Sequence, residues 1–265
     1  MPSSHDRAAS QESIARRDRT FLLIGLIGIS ALAWGYMIAL ADHTATADAV
    51  VHAHTRPWST TDFWMTFVMW GVMMVAMMAP TVAPMLLALA RIDRAQPSPS
   101  GPLLPATMFL TGYLGVWTGF SVVATLAQWR LHELTLVSAS GASNHAAFGG
   151  VLLLSAGAFQ LTPLKQACLS RCRSPLLFLM SAWRPGSWGG LRMGILHGAF
   201  CIGCCWALMA LMFVAGTMNL LWTAALMLLM LAEKSLPTGR QVGRAAGVGL
   251  MVWGMYALGA GLIRT

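Results

Sequence analysis

Five cysteines punctuate a chain that is otherwise poor in reactive side chains: Cys168, Cys172, Cys201, Cys204 and Cys205. Three of them, with one imidazole, fall in a single stretch that reads Met193-Gly-Ile-Leu-His197-Gly-Ala-Phe-Cys201-Ile-Gly-Cys204-Cys205. At about 100° per helical residue, His197, Cys201, Cys204 and Cys205 share an arc of about 100°, and Met193 and Met212 lie on or beside it. Thiolate and thioether are soft donors that select Cu(I), zinc or iron–sulfur clusters. The methionines favour Cu(I) over zinc, and a single helix can offer the two or three ligands that Cu(I) accepts. An odd number of cysteines crowded near apolar runs is no disulfide framework.

Other soft or hard donors lie outside this stretch. Met65, Met69, Met73 and Met77 recur every fourth residue, with Met74, Met78 and Met85 on the opposite side of the same helix. Such a ladder suits Cu(I) exchange, with Met73 and Met77 as its candidate ligands, and equally suits plain packing by an adaptable side chain. Cys168-x-x-x-Cys172 follows an apolar run beside Arg171 and Arg173, and is read as an entry site for Cu(I) or as incidental. His43, His52 and His54, and separately His132, Glu133 and His145, are weaker imidazole groupings in polar segments. Glu233-Lys234 reads as an ordinary interfacial ion pair at the end of an apolar run.

The elements that position these donors are apolar helices. Of 265 residues, 57% are apolar and 10% charged, whereas soluble domains carry about 25% charge. Long uninterrupted apolar runs recur, and about 20 helical residues cross the hydrocarbon layer. The expected fold is an all-α, polytopic transmembrane helix bundle of about seven spans: 21–41, 63–90, 104–128, 146–164, 191–213, 220–232 and 245–263. Residues 1–20 form a basic cytoplasmic tail, 21–41 the first anchor, 42–62 an outward His-containing loop, and 63–263 a six-span metal-binding membrane domain. Ala39-Leu40-Ala41 resembles a signal-peptidase site, but the first run exceeds the 7–15 apolar residues of a signal peptide.

The net charge of +8 does not mark a nucleic-acid partner, because the basic residues flank apolar runs. With the N-terminus in the cytoplasm, that side holds Arg7, Arg16, Arg17, Arg19, Arg91, Arg94, Lys165, Arg171, Arg173, Arg184, Arg192, Lys234, Arg240 and Arg244. The outside holds Arg56, Arg130 and Arg264, so the C-terminus is outside. No nucleotide-binding loop, paired carboxylate or nucleophile–base set is present, which argues against an enzyme and against ATP-driven transport.

The motifs Met73-Met74-x-Ala76-Met77-Met78-x-Pro80, Cys201-x-Gly203-Cys204-Cys205-Trp206, Gly216-x-Met218-Asn219-Leu220 and Glu233-Lys234-x-x-Pro237-x-Gly239 carry a family likeness. Over about residues 60–262 the chain resembles a bacterial family of predicted metal-binding integral membrane proteins. One branch of it resembles the membrane copper chaperones of tyrosinase-type polyphenol oxidases. The resemblance implies His197, Cys201, Cys204 and Cys205 as metal residues, the bacterial inner membrane as location, and delivery of copper to an exported or membrane cuproenzyme. The rival readings are a metal transporter, or an assembly subunit of a larger membrane complex whose cysteines only pack.

Overall fold

A computed structural model describes residues 4–44, 58–95, 103–138 and 140–263. Among them the regular elements are all helical: α1 (Ser4–Thr44), α2 (Thr60–Ala95), α3 (Leu103–Glu133), α4 (Ala146–Leu161), α5 (Pro163–Arg173), α6 (Pro175–Ala182), α7 (Gly186–Ala210), α8 (Met212–Ala215), α9 (Leu220–Ser235) and α10 (Gly239–Ile263). Extended pairing is limited to two isolated bridges, Val137 with Ser143 and Ala142 with Ala215. These fold the 134–145 connection onto the end of α8. The all-α expectation holds.

Four stretches are long and apolar enough to cross a membrane: Arg19–Asp42, Thr60–Ile92, Leu103–Glu133 and Gly186–Ala215. The pair α4–α5 would make a fifth, bent by 66° at its junction. The bend has a local cause. Thr162 caps α5 by accepting the Lys165 backbone N–H at 3.3 Å, and Pro163 starts the helix with its φ already set. The fourth expected span, 146–164, therefore stops at Leu161. The chain that follows it forms the helices α5 and α6. Residues 4–20 of the expected tail are helical, since α1 is one 41-residue helix from Ser4 that continues through the first candidate span. His52 and His54 lie outside the described residues, as does the side chain of His43.

Close backbone approach organises the bundle. In the α3–α7 pair, a Cβ on Gly194 would run into the Phe109 carbonyl, and one on Gly198 would lie 2.9 Å from Val116 Cβ. Gly190 meets the Pro105 carbonyl in the same way. Small residues at four-residue spacing let two membrane helices touch along their backbones. The α4–α10 pair repeats this device: a Cβ on Gly157 would sit 2.6 Å from the Gly247 carbonyl oxygen. Gly115 and Gly119 of α3, by contrast, have open space around them. Between α8 and α9, Gly216 takes φ 94°, a left-handed turn that suits glycine, and Asn219 caps α9 through Trp222 N at 3.0 Å.

Helix α2 is buried on nearly all sides. Met69, Met73, Met74, Met77, Met78 and Met85 are all in the core, and only Met65 of the expected stripe is exposed. The division into a functional and an opposite methionine face therefore disappears, because α2 runs through the bundle with α1, α3 and α9 around it. Pro80 and Pro84 are accommodated within this one continuous helix.

Candidate metal centre

Helix α7 turns Met193, His197, Cys201, Cys204 and Cys205 inward together, as their spacing predicts; all five are buried. What α7 faces there is α5. The Sγ atoms of Cys172, Cys201 and Cys204 all lie within 4.8 Å of one another. Cys204 Sγ is 4.0 Å from Cys172 Sγ and 3.3 Å from Cys205 Sγ. With a metal–sulfur bond of about 2.3 Å, the length of a zinc–thiolate bond, sulfurs around a trigonal ion stand about 4.0 Å apart. The spacing thus fits an ion held between α5 and α7. All five cysteines are free thiols.

Helix α5 can reach α7 because of the bend at Pro163. Cys168 packs over Gly203, where a Cβ would come within 2.8 Å of its sulfur. One turn later Cys172 arrives beside Cys204. The Cys-x-x-x-Cys spacing places both thiols on the same side of α5, yet they fill different roles: Cys172 joins the sulfur cluster and Cys168 lies half-buried beside it.

On the far side of Cys201 stands a polar group absent from the sequence-derived site. Lys234 Nζ lies 3.0 Å from Cys201 Sγ, donates to Thr81 Oγ1 at 3.1 Å, and lies 4.0 Å from Met78 Sδ. The Tyr113 hydroxyl is 3.1 Å from Cys201 Sγ and 3.4 Å from Thr81 Oγ1. Thr81 in turn donates to the Met78 carbonyl at 2.9 Å. Tyr113 of α3 and Lys234 of α9 therefore meet at the sulfur of Cys201 on α7, braced by Thr81 and Met78 of α2. The reading of Glu233 and Lys234 as an interfacial pair is overturned. Both are buried, and Glu233 pairs with Lys165 at 2.6 Å while also accepting from Gln160 Nε2 at 2.8 Å. Lys165 and Lys234 thus drop out of the charges that a loop count would assign to the cytoplasmic surface. A sequence signal did exist: Thr223, Leu226, Met230 and Glu233/Lys234 continue one buried stripe of α9 at helical period.

His197 stands one turn before Cys201, with its ring against Phe178, Phe109 and Tyr113 at centroid distances of 5.1, 5.7 and 5.8 Å. Its Nδ1 has no hydrogen-bond partner among the described residues. It is not one of the three groups within mutual ligand distance. Met193, Met212, Met73 and Met77 are buried in the same core. The second imidazole grouping does not assemble: Glu133 pairs with Arg130 at 2.9 Å, and His132 Nδ1 lies 3.3 Å from the Val137 carbonyl oxygen.

Comparison with known proteins decides the family. A family model described as PpoB2, copper chaperone, matches residues 67–257, from the first third of α2 to the last turns of α10. The chain belongs to the PpoB2 copper chaperone family. The match contains every cysteine, Lys165, Glu233 and Lys234, and leaves α1 outside it. Membership gives the chain a copper-related role, suggests carriage rather than catalysis, and implies a cuproenzyme as partner. No curated protein and no solved structure compared with the chain matches it.

Proposed function

We propose that this chain is a multi-pass protein of the bacterial inner membrane that binds Cu(I) at Cys172, Cys201 and Cys204 and passes it to an exported or membrane cuproenzyme. The observation that carries the reading is the convergence of three thiols from two helices inside an apolar bundle. Soft donors in a water-poor interior suit a soft monovalent ion, and the bound ion offsets the cost of burying thiolates there. Transfer proceeds by ligand exchange. Cys168 receives the metal, with Met193 and His197 on the cytoplasmic side of the sulfur cluster; the cluster holds it, and Cys205 and the buried thioethers of Met73, Met77 and Met212 carry it outward.

The topology that goes with this reading has seven spans, with α9 and α10 as the sixth and seventh, the N-terminus in the cytoplasm and the C-terminus outside. Helix α10, at 25 residues, is about 37 Å long and reaches across the hydrocarbon layer.

The test is anaerobic titration of the purified full-length protein with Cu(I) against a competing chromophoric chelator. The wild type takes up copper, and Cys172→Ser, Cys201→Ser and Cys204→Ser each lose affinity. Equal stoichiometry and affinity in all four proteins would remove the thiol cluster as the copper site.

A further inference from the structure

Charge accounting around Lys234 carries the copper reading one step further. Glu233, the neighbouring residue, is already engaged by Lys165 and Gln160. The contacts of Lys234 are a thiol, a hydroxyl and a thioether, and among the described residues no carboxylate pairs with it. Its hydrogen bonds are therefore met, and no carboxylate among the described residues cancels its charge. An unbalanced charge inside a membrane bundle is costly, and such groups line functional sites.

We propose that Lys234 is the counter-cation of the bound copper complex and selects a two-thiolate Cu(I) site. The inference rests on the copper reading above. Cu(I) with two thiolates carries one net negative charge, which the Lys234 ammonium cancels. A site that holds Cu(I), two thiolates and this ammonium thus has no net charge. A third thiolate would leave a net negative charge, so the remaining donor is neutral, either a thiol of the cluster or Met78 Sδ. Zn(II) on the same two thiolates would leave one positive charge uncancelled, so the same lysine favours a monovalent cargo. Lys234 acts through Cys201 as a positioning residue and is not itself a ligand.

The experiment compares wild type with Lys234→Met, Lys234→Gln and Lys234→Arg, each full length in mild detergent, titrated anaerobically with Cu(I) and separately with Zn(II). Removing a group that orients and balances a metal ligand typically costs about 10–100-fold in affinity. That loss is expected for Cu(I) in both neutral variants, with Zn(II) affinity unchanged or improved, while Lys234→Arg retains most Cu(I) binding. Thermal unfolding of the metal-free proteins separates this from a packing role. The neutral variants unfold at the wild-type temperature or above, because they shed an unbalanced charge, whereas lost packing would lower it. Lys234→Gln keeps donors for Thr81 and Cys201 and guards against misfolding of the methionine variant. Neutral variants that bind Cu(I) as tightly as the wild type overturn the role of Lys234 alone. A wild type that binds no Cu(I) overturns the copper reading and this inference together.

Discussion

Lys165 and Lys234 are both buried, and they answer to adjacent residues of α9. Lys165 lies against the Glu233 carboxylate at 2.6 and 2.8 Å, closed off with Gln160 on one side. Lys234 points the other way, into sulfur and hydroxyl groups. The first lysine has its charge cancelled by the protein and needs nothing more. The second has no carboxylate partner among the described residues and stands beside three convergent thiols. The difference separates a charge paired within the protein from one that, on the proposal above, balances a metal complex. Buried ion pairs are not themselves strong contributors to stability, but breaking one strands a charge.

The strongest way to break the comparison is Lys165→Met. It leaves Glu233 buried and unpaired, and is expected to lower stability by about 3–5 kcal/mol. Denaturant unfolding in detergent measures it; no loss, as expected for Lys234→Met, would erase the distinction. Next in size is Gly194→Leu, which drives a side chain into the Phe109 carbonyl and separates α3 from α7. Overpacking of this kind costs about 1–3 kcal/mol. Cu(I) affinity should fall with it, because α7 carries Cys201 and Cys204 while α3 carries Tyr113. The double change Lys165→Met with Glu233→Met sharpens the picture. Replacing a whole buried pair by apolar side chains is often neutral, so unfolding should return near the wild-type midpoint. The smallest effect belongs to Gly115→Leu, expected within about 0.5 kcal/mol since a Cβ there meets no neighbouring element.

The glycine pair shows how far sequence reading reaches. Gly115-x-x-x-Gly119 and Gly194-x-x-x-Gly198 are the same motif, and only the second is used within the bundle. Sequence spacing says that a helix has a smooth ridge; it does not say which neighbour arrives. The methionines of α2 make the same point. Their four-residue period is real, yet Met78, from the face opposite the ladder, lies 4.0 Å from Lys234 beside the candidate metal centre, because a helix surrounded by partners has no idle face. Span boundaries were legible to a few residues where an apolar run was long. They were less so at Pro163, where a cap and a proline end α4 short of the expected residue 164 and turn the chain by 66° into α5.

By itself the sequence determined the apolar helical character of the chain, its family likeness, and the soft stripe of His197, Cys201, Cys204 and Cys205 on one face. All of these rest on composition or on residues a turn or two apart, where helical geometry leaves little freedom. Tertiary structure alone decided that Cys172, 32 residues from Cys204, completes the sulfur cluster. It also decided that Lys234, 33 residues beyond Cys201, supplies the cation beside it. Which groups share an ion depends on how bent and straight helices pack, and packing distance is set by contacts among residues far apart in the chain.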